Sequence, residues 1–329
     1  MSQETSAIRF AEFGGPKVLF PSSVPLAAPA KGEIQIRHSA IGVNFIDIYH
    51  RKGVFAPLLP LPAIPGVEGV GEVVAIGPEV FDFAVGQRVA YVGGPPGGYA
   101  CHRNLPAARA LPVPQDLDAV TLAACLFKGL TAEYLTHRCV SLHPGDTVVF
   151  HAAAGGVGTL ACQWLRARGI TVIGTVSSEE KAAHARARGC SHVIVSTAAD
   201  FRDEVKRLTG GKGVRVVYDS VGAETFDRSL DCLTPRGTMV SFGESSGPVE
   251  PIKIATLGAK GSLFLTRPSI AHYTADRSEF EAAAKRLFAA IRDGVLTLDA
   301  PRRYALSQAA QAHADIEARK TTGSVVLLP

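Results

Sequence analysis

The chain has 329 residues, is 47% hydrophobic and 19% charged, and carries a formal net charge of +4; this fits a globular protein of two domains with sizeable cores. The charge is too small and too dispersed for a nucleic-acid surface, and no apolar run reaches the roughly 18 residues of a membrane span. The opening residues, MSQETSAIRF, lack the layout of a secretory signal, and six scattered cysteines form no CxxC pair, so reduced thiols in a cytoplasmic protein are the expectation.

Residues 1 to about 125 read as β-rich. Short apolar runs at Glu33 to Arg37, Gly69 to Ile76 and Gln87 to Val92 alternate with Gly and Pro turns. Pro57, Pro60, Pro62 and Pro65 rule out regular structure around them, and YVGGPPGGY (Tyr91 to Tyr99) is a second loop. This third of the chain is expected to form a compact barrel or sandwich.

The texture changes near Leu122. Asp118 to Leu135 has helical spacing, and strand-like and helix-like segments then alternate: Thr147 to Phe150, Thr171 to Val176, Ser178 to Arg188, His192 to Val195, Asp200 to Leu208, Val214 to Tyr218, Met239 to Phe242 and Leu263 to Thr266. This order predicts an α/β fold, a doubly wound parallel sheet covered by helices. An amphipathic helix at Ser278 to Asp293, a helix at Ser307 to Arg319 and a strand at Ser324 to Leu328 close the sequence.

The chain is organised around VVFHAAAGGVG, Val148 to Gly158. A strand runs into small residues and then a helix from Val157, which makes a phosphate cradle: glycines allow close approach and the helix start offers free N–H groups. Ala154, Gly155, Gly156, Val157 and Gly158 would line it. The GxGxxG fingerprint is only partly met, since its positions fall on Ala153, Gly155 and Gly158. A strand–helix unit whose glycines merely permit packing fits the motif equally well.

AIGVNFIDIY (40–49), PGVEGVGEVVAIG (65–77), FKGLTA (127–132), HAAAGGVG (151–158), VVYDSVG (216–222), SFGESSG (241–247), LTRPS (265–269) and TTGSVVLLP (321–329) together resemble the NADPH-dependent quinone oxidoreductases. These are the zinc-free, ζ-crystallin-like branch of the medium-chain dehydrogenase/reductases. The resemblance is collinear from about residue 8 onward. It implies a GroES-like catalytic domain from residues 1–125 and 268–329 and a Rossmann domain from 126–267. It also implies NADPH as cofactor, a quinone substrate in the cleft between the domains, and a homodimer formed through a sheet edge near Gly261 to Thr266. The positions of the catalytic zinc ligands in metal-dependent relatives fall on Asn44, Val67 and Lys128, which do not suit zinc.

The cofactor choice also has a physical argument. An NAD enzyme places a carboxylate at the end of the second strand to bind the ribose. Val176, Ser177 and Ser178 stand there, and Lys181 follows in the first helical turn, where a cation opposes the helix dipole. A 2′-phosphate would explain the lysine; so would a solvated lysine beside a Ser177–Glu180 capping box. The family has a tyrosine where Ser196 stands. Arg319 is a further candidate for the phosphate, and a solvated helix end fits it as well.

By resemblance Asn44 sits beside the nicotinamide, Tyr49 faces the quinone, and Lys128 and Thr131 touch the cofactor. Asp47 is expected to be structural. Lys128 can also be read as a proton relay, Tyr49 as a plain core tyrosine, and Phe55 as either a stacking or a packing residue. Ser220, Phe242, Gly243 and Ser245 lie at strand ends where a dinucleotide binds, Thr266 and Arg267 near its nicotinamide half. His151 fits a structural role equally, and Cys125, Cys139 and Cys162 are expected in the core. Two other readings remain open: an NADPH-dependent reductase of α,β-unsaturated carbonyl compounds, and a non-catalytic NADPH-binding structural or RNA-binding protein.

Overall fold

The computed structural model describes residues 3–54, 59–318 and 320–329. In chain order, β1 (Gln3–Arg9) and β2 (Phe20–Leu26) pair antiparallel. β3 (Glu33–Val43) leads into α1 (Phe45–Lys52), then β4 (Glu68–Ile76), β5 (Arg88–Val92), β6 (His102–Pro106) and β7 (Ala110–Pro112). The 16-residue α2 (Ala119–Tyr134) follows. The alternating part comprises β8 (Thr147–Phe150), α3 (Gly156–Ala167), β9 (Thr171–Val176), α4 (Glu179–Ala187), β10 (His192–Val195), α5 (Phe201–Leu208), β11 (Val214–Asp219), α6 (Phe226–Leu230), β12 (Leu233–Ser241), α7 (Ile254–Ala259) and β13 (Phe264–Thr266). α8 (Ile270–Tyr273), α9 (Arg277–Arg292), β14 (Arg302–Ala305), α10 (Ala309–Glu317) and β15 (Val325–Leu328) complete it.

The chain divides into two compact units, Met1–Phe127 with Leu298–Pro329, and Lys128–Thr297. In the first, the main sheet has the order β14-β15-β3-β4-β5-β7, with β6 also on β3. One core, with Ile34, Ile36, Val73, Val89 and Leu105, lies at β3 to β6. A second gathers Phe10, Ile41, Tyr99, Val325 and Leu327, so the late strand β15 shares a core with the first residues.

The second unit holds six parallel strands in the order β10-β9-β8-β11-β12-β13. Helices shield both faces of such a sheet, so its strands read as near-continuous apolar runs such as TVVF and TVIGTV. Side-chain caps start α4 and α5: Ser178 accepts from the Lys181 N–H and Asp200 from the Arg202 N–H. α9 buries Phe280, Ala284, Leu287 and Phe288, worth roughly 1.5–3 kcal/mol for each large side chain.

Two expectations need correction. The sequence reading returns the chain to the first unit at 268, whereas the structure does so at 298. The reason is α9: Leu287 lies over Gly129 of α2, and Arg286 bonds the buried carboxylate of Glu133. Cys125 and Cys162 are buried, but Cys139 is only half-buried, at the end of a π-helical turn after α2.

Candidate functional site: the switch point of the parallel sheet

Counted along the chain, the strand order of the second unit is 3-2-1-4-5-6, the doubly wound arrangement in which ligands bind beyond the carboxyl ends of the strands. The direction of winding reverses between β8 and β11. The turn after β8 starts α3 at this place, with Gly155 as a cap that offers no side-chain acceptor. The first N–H groups of α3 have no acceptor within the helix, as in any helix, and no side chain of the cap residue takes them up. A Cβ at Gly158 would lie 2.5 Å from the Ala152 carbonyl oxygen, so only glycine fits this contact of helix and turn. The departure at Ala153 has a local cause. Its methyl sits where Gly174 of β9 has no side chain, 2.7 Å from the position a Cβ would take.

A buried hydrogen-bond chain fixes the floor below this turn. The Asp219 carboxylate accepts from the N–H groups of Val221 (2.7 Å) and Gly222 (3.1 Å) and from the hydroxyls of Thr225 (2.7 Å) and Ser229 (3.2 Å). With its proton given to Asp219, Ser229 accepts from His151 Nε2–H at 2.9 Å. His151 Nδ1 then accepts from the Thr175 hydroxyl at 2.8 Å. Burial holds the His151 pKa below its ordinary value, partly opposed by Asp219, so the neutral form that this chain requires is the favoured one. His151 is thus structural, one of the two roles expected, and it ties the ends of β8, β9 and β11 together.

At the end of β9, Lys181 Nζ lies 3.4 Å from Ser177 Oγ. Ser196 donates its N–H (2.9 Å) and hydroxyl (3.1 Å) to the Val176 carbonyl. Ser177, Lys181 and Ser196 therefore converge. The cap of α4 is Ser178, not Ser177, which leaves Ser177 outside the helix. Ser220, Phe242, Gly243 and Ser245 also gather: the Ser245 N–H donates to the Ser220 carbonyl at 3.1 Å, and a Cβ at Gly243 would lie 2.8 Å from that oxygen. Thr266 pairs with Val240, and exposed Arg267 bonds the Ser241 carbonyl (3.0 Å) and Glu244 (3.1 Å).

Lys128 and Thr131 lie one turn apart on α2 and both are buried. The Lys128 stem crosses the first turn of α3, where a Cβ on Gly156 would lie 2.5 Å from its Cδ. In the first unit, Asn44 caps α1 and Tyr49 lies one turn in, half-buried, its ring 6.0 Å from that of Phe45. Asp47 accepts from the Asn44 N–H (2.9 Å) and the Tyr99 hydroxyl (3.2 Å), as its expected structural role requires. Phe55 and Arg319 lie outside the described residues.

Two family models match, "Alcohol dehydrogenase GroES-like domain" over residues 30–144 and "Zinc-binding dehydrogenase" over residues 156–289. A quinone oxidoreductase of Pseudomonas aeruginosa is 46% identical over 322 residues, 98% of this chain and 99% of that one. A 2-haloacrylate reductase of a Burkholderia species is 46% identical over 321 residues, 96% of each chain. The chain belongs to the quinone oxidoreductase family. The crystal structure of Escherichia coli quinone oxidoreductase complexed with NADPH superposes with a TM-score of 0.96 at 43% identity, covering 98% of this chain and all of that one.

The zinc in the description of one family model does not suit this family member. Val67 is apolar, the Asn44 amide donates to Glu68, and Lys128 carries a cationic head. Among the described residues no group of three or more His, Cys, Asp or Glu is placed to hold a metal ion, and no helix is long and apolar enough to cross a membrane.

Sequence reasoning missed three polar residues at the core of these elements: Asp219, Ser229 and Glu68. Asp219 had a readable signal, an acid ending the apolar run VRVVYD. Glu68 had one too, an acid among the small and apolar residues of GVEGV.

Proposed function

We propose that this protein is an NADPH:quinone oxidoreductase that works without zinc. The observation that carries the reading is the switch point, where the glycine turn, the Asp219–His151 floor and the Ser177–Lys181 contact fall on three adjacent strand ends. The bare first turn of α3 suits a pyrophosphate. Ser177 and Lys181, with Ser196, suit a 2′-phosphate. Ser220, Phe242, Gly243 and Ser245 would follow the dinucleotide, Thr266 and Arg267 its nicotinamide end, and Arg319 is a further proposed phosphate contact. When bound, NADPH supplies the hydride. Asn44 and Thr131 would hold the nicotinamide portion. Lys128 would keep a cation beside the glycine turn, and Tyr49 would donate a hydrogen bond to a quinone oxygen on which negative charge develops.

A second reading, reduction of α,β-unsaturated carboxylates or carbonyls, is favoured by one observation: the 2-haloacrylate reductase is as similar to this chain as the quinone oxidoreductase. Nicotinamide oxidation by the pure protein, with NADPH and NADH in parallel against quinones, enones and 2-haloacrylates, decides between the two. Quinone-dependent loss of NADPH supports the first reading. Turnover of unsaturated acids alone replaces it with the second, and binding without turnover on any acceptor overturns both.

A homodimer is part of the proposal. β13 is an edge strand, and Phe264 and Leu265 on it are exposed; pairing with a second copy would cover both its ladder and these side chains. Sedimentation of the native protein against Phe264→Asp tests this, with a monomeric native protein as the contrary result. A cytoplasmic location is the reading the six unbridged cysteines support.

A further inference from the structure

Glu68 lies in β4 with no exposed surface. Its two oxygens take different partners. Oε2 accepts from the Asn44 side-chain amide at 2.8 Å, and Oε1 accepts from the backbone N–H of Phe127 at 2.7 Å. The second bond is unusual, because this N–H lies within α2, where the ordinary acceptor would be the carbonyl of Ala123. The chain also makes room for the carboxylate. A Cβ on Gly42 would lie 2.1 Å from Glu68 Oε2 and 2.4 Å from the Ala123 oxygen. One buried acid thus joins the cap of α1 to the backbone of α2, at the residue before Lys128.

The chemistry of the pair dictates an orientation. A carboxylate only accepts hydrogen bonds, whereas a carboxamide has one end that donates and one that accepts. Facing Glu68, Asn44 must turn its NH₂ group inward and present Oδ1 on its other side. Its backbone is held as well, by the N–H bond to Asp47. We propose that Glu68 is a positioning residue, one that sets the Asn44 carboxamide so that an acceptor oxygen, and not an NH₂ donor, faces the reacting groups. This rests on the reading that Asn44 contacts the nicotinamide.

Glu68→Gln tests it with almost no change of shape. The oxygen of the introduced carboxamide keeps the Phe127 N–H, so its NH₂ faces Asn44. The Asn44 amide then flips and presents a donor outward. Adding Asn44→Asp reverses the pair: the introduced amide donates to the introduced carboxylate, and an acceptor oxygen again faces outward with the same total charge. The expected result is a fall of about tenfold or more in kcat for Glu68→Gln, a melting temperature within a few degrees of the native one, and recovery to within about threefold of native kcat in the double variant. Native kcat in Glu68→Gln, or a double variant no faster than the slower single variant, overturns the proposal. If Glu68→Gln does not fold, Asn44→Asp, which sets two carboxylates face to face, is compared with the double variant, and absence of rescue overturns the proposal equally. If the native protein reduces no acceptor, it is the functional reading that fails. The same variants are then compared by NADPH fluorescence titration: about tenfold weaker binding in Glu68→Gln with recovery in the double variant sustains the role, and unchanged binding overturns it.

Discussion

The methylene chain of Lys128 lies directly across Gly156, leaving no room for a Cβ: one would sit 2.5 Å from Cδ and 3.0 Å from Cε. The first turn of α3 is therefore in register with a lysine on α2. Gly156→Ala should push the ammonium group out of place while the helix itself gains from alanine. The expected outcome is weaker NADPH binding by about 1 kcal/mol, roughly fivefold, with little change in melting temperature. Fluorescence titration checks this. In a Lys128→Ala background the second change should cost nothing further, because the group it displaces is gone.

In the function proposed above, Lys181 beside Ser177 distinguishes a 2′-phosphate from a hydroxyl. Lys181→Glu places a carboxylate beside Ser177 and should weaken NADPH binding by about tenfold to a hundredfold, with NADH changed far less. Parallel titrations with the two nucleotides measure it, and an equal effect on both would remove Lys181 from the phosphate site.

Asp219 accepts from two backbone N–H groups and two hydroxyls, so its loss strands several buried donors at once. Asp219→Ala should destabilise the protein by about 3 kcal/mol, and Ser229→Ala, which breaks the link to His151, by about 1–2 kcal/mol. Urea unfolding supplies both values. A change of a few tenths in either would mean that the network is not the floor described above.

Two buried histidines give the stability a pH dependence. His38 donates from Nδ1 to the Ala100 carbonyl (2.7 Å) and accepts at Nε2 from the Tyr91 hydroxyl (2.9 Å). His313 lies between the Tyr99 hydroxyl and Arg51. Burial, helped by Arg103 for His38 and by Arg51 for His313, pushes each pKa down to about 3 from 6.5. The unfolded chain takes up a proton at each as the pH falls below 6.5, and the native state does not until about 3. Their contribution to stability is therefore complete above pH 6.5 and is lost as the pH falls from there towards 3. The slope is at most about 1.4 kcal/mol per pH unit for each histidine. Urea unfolding at pH 7.5, 6.5 and 5.5 should show this loss, and His38→Gln should flatten it; a slope unchanged by that variant would mean that His38 is not neutral in the native state.

The parallel-sheet unit was largely legible in the sequence because its central strands are buried on both faces and helices such as α4, α5 and α9 begin at recognisable caps. β12 alone runs longer than its apolar stretch: Pro235, Arg236 and Gly237 hide its first half, with Arg236 at φ +62°. The first unit was harder to read. β2, FPSSVPL, carries two prolines and keeps all but its last residue at least partly exposed, so it shows no apolar run. α1, FIDIYHRK, has too short an apolar stripe to announce a helix, and it begins where the Asp47 carboxylate accepts from the Asn44 N–H. The roles proposed for the glycines and Lys181 could be raised from sequence because they rest on local spacing. The partners Glu68–Asn44 and Asp219–Ser229–His151 were not, because the contacts that give them meaning join residues far apart in the chain.

The position of β15 also sets an order of assembly. The second unit is continuous and needs only residues 128–297, whereas the first unit's sheet places β15, residues 325–328, between β14 and β3. On a ribosome adding about 5–20 residues per second, β3 is made before the whole of the second unit and β15 after it, so β3 waits for this neighbour while those residues are added. The later-made unit should then become protease-resistant first, with the earlier-made residues still open to cleavage. Chains ending between residues 297 and 324, held on the ribosome by a C-terminal linker long enough to clear the exit tunnel and probed with protease, would show it. During that interval the Ile41, Gly42 and Val43 end of β3 offers a short vacant edge to any other nascent chain, so crowded polysomes are where this protein is most exposed to mispairing.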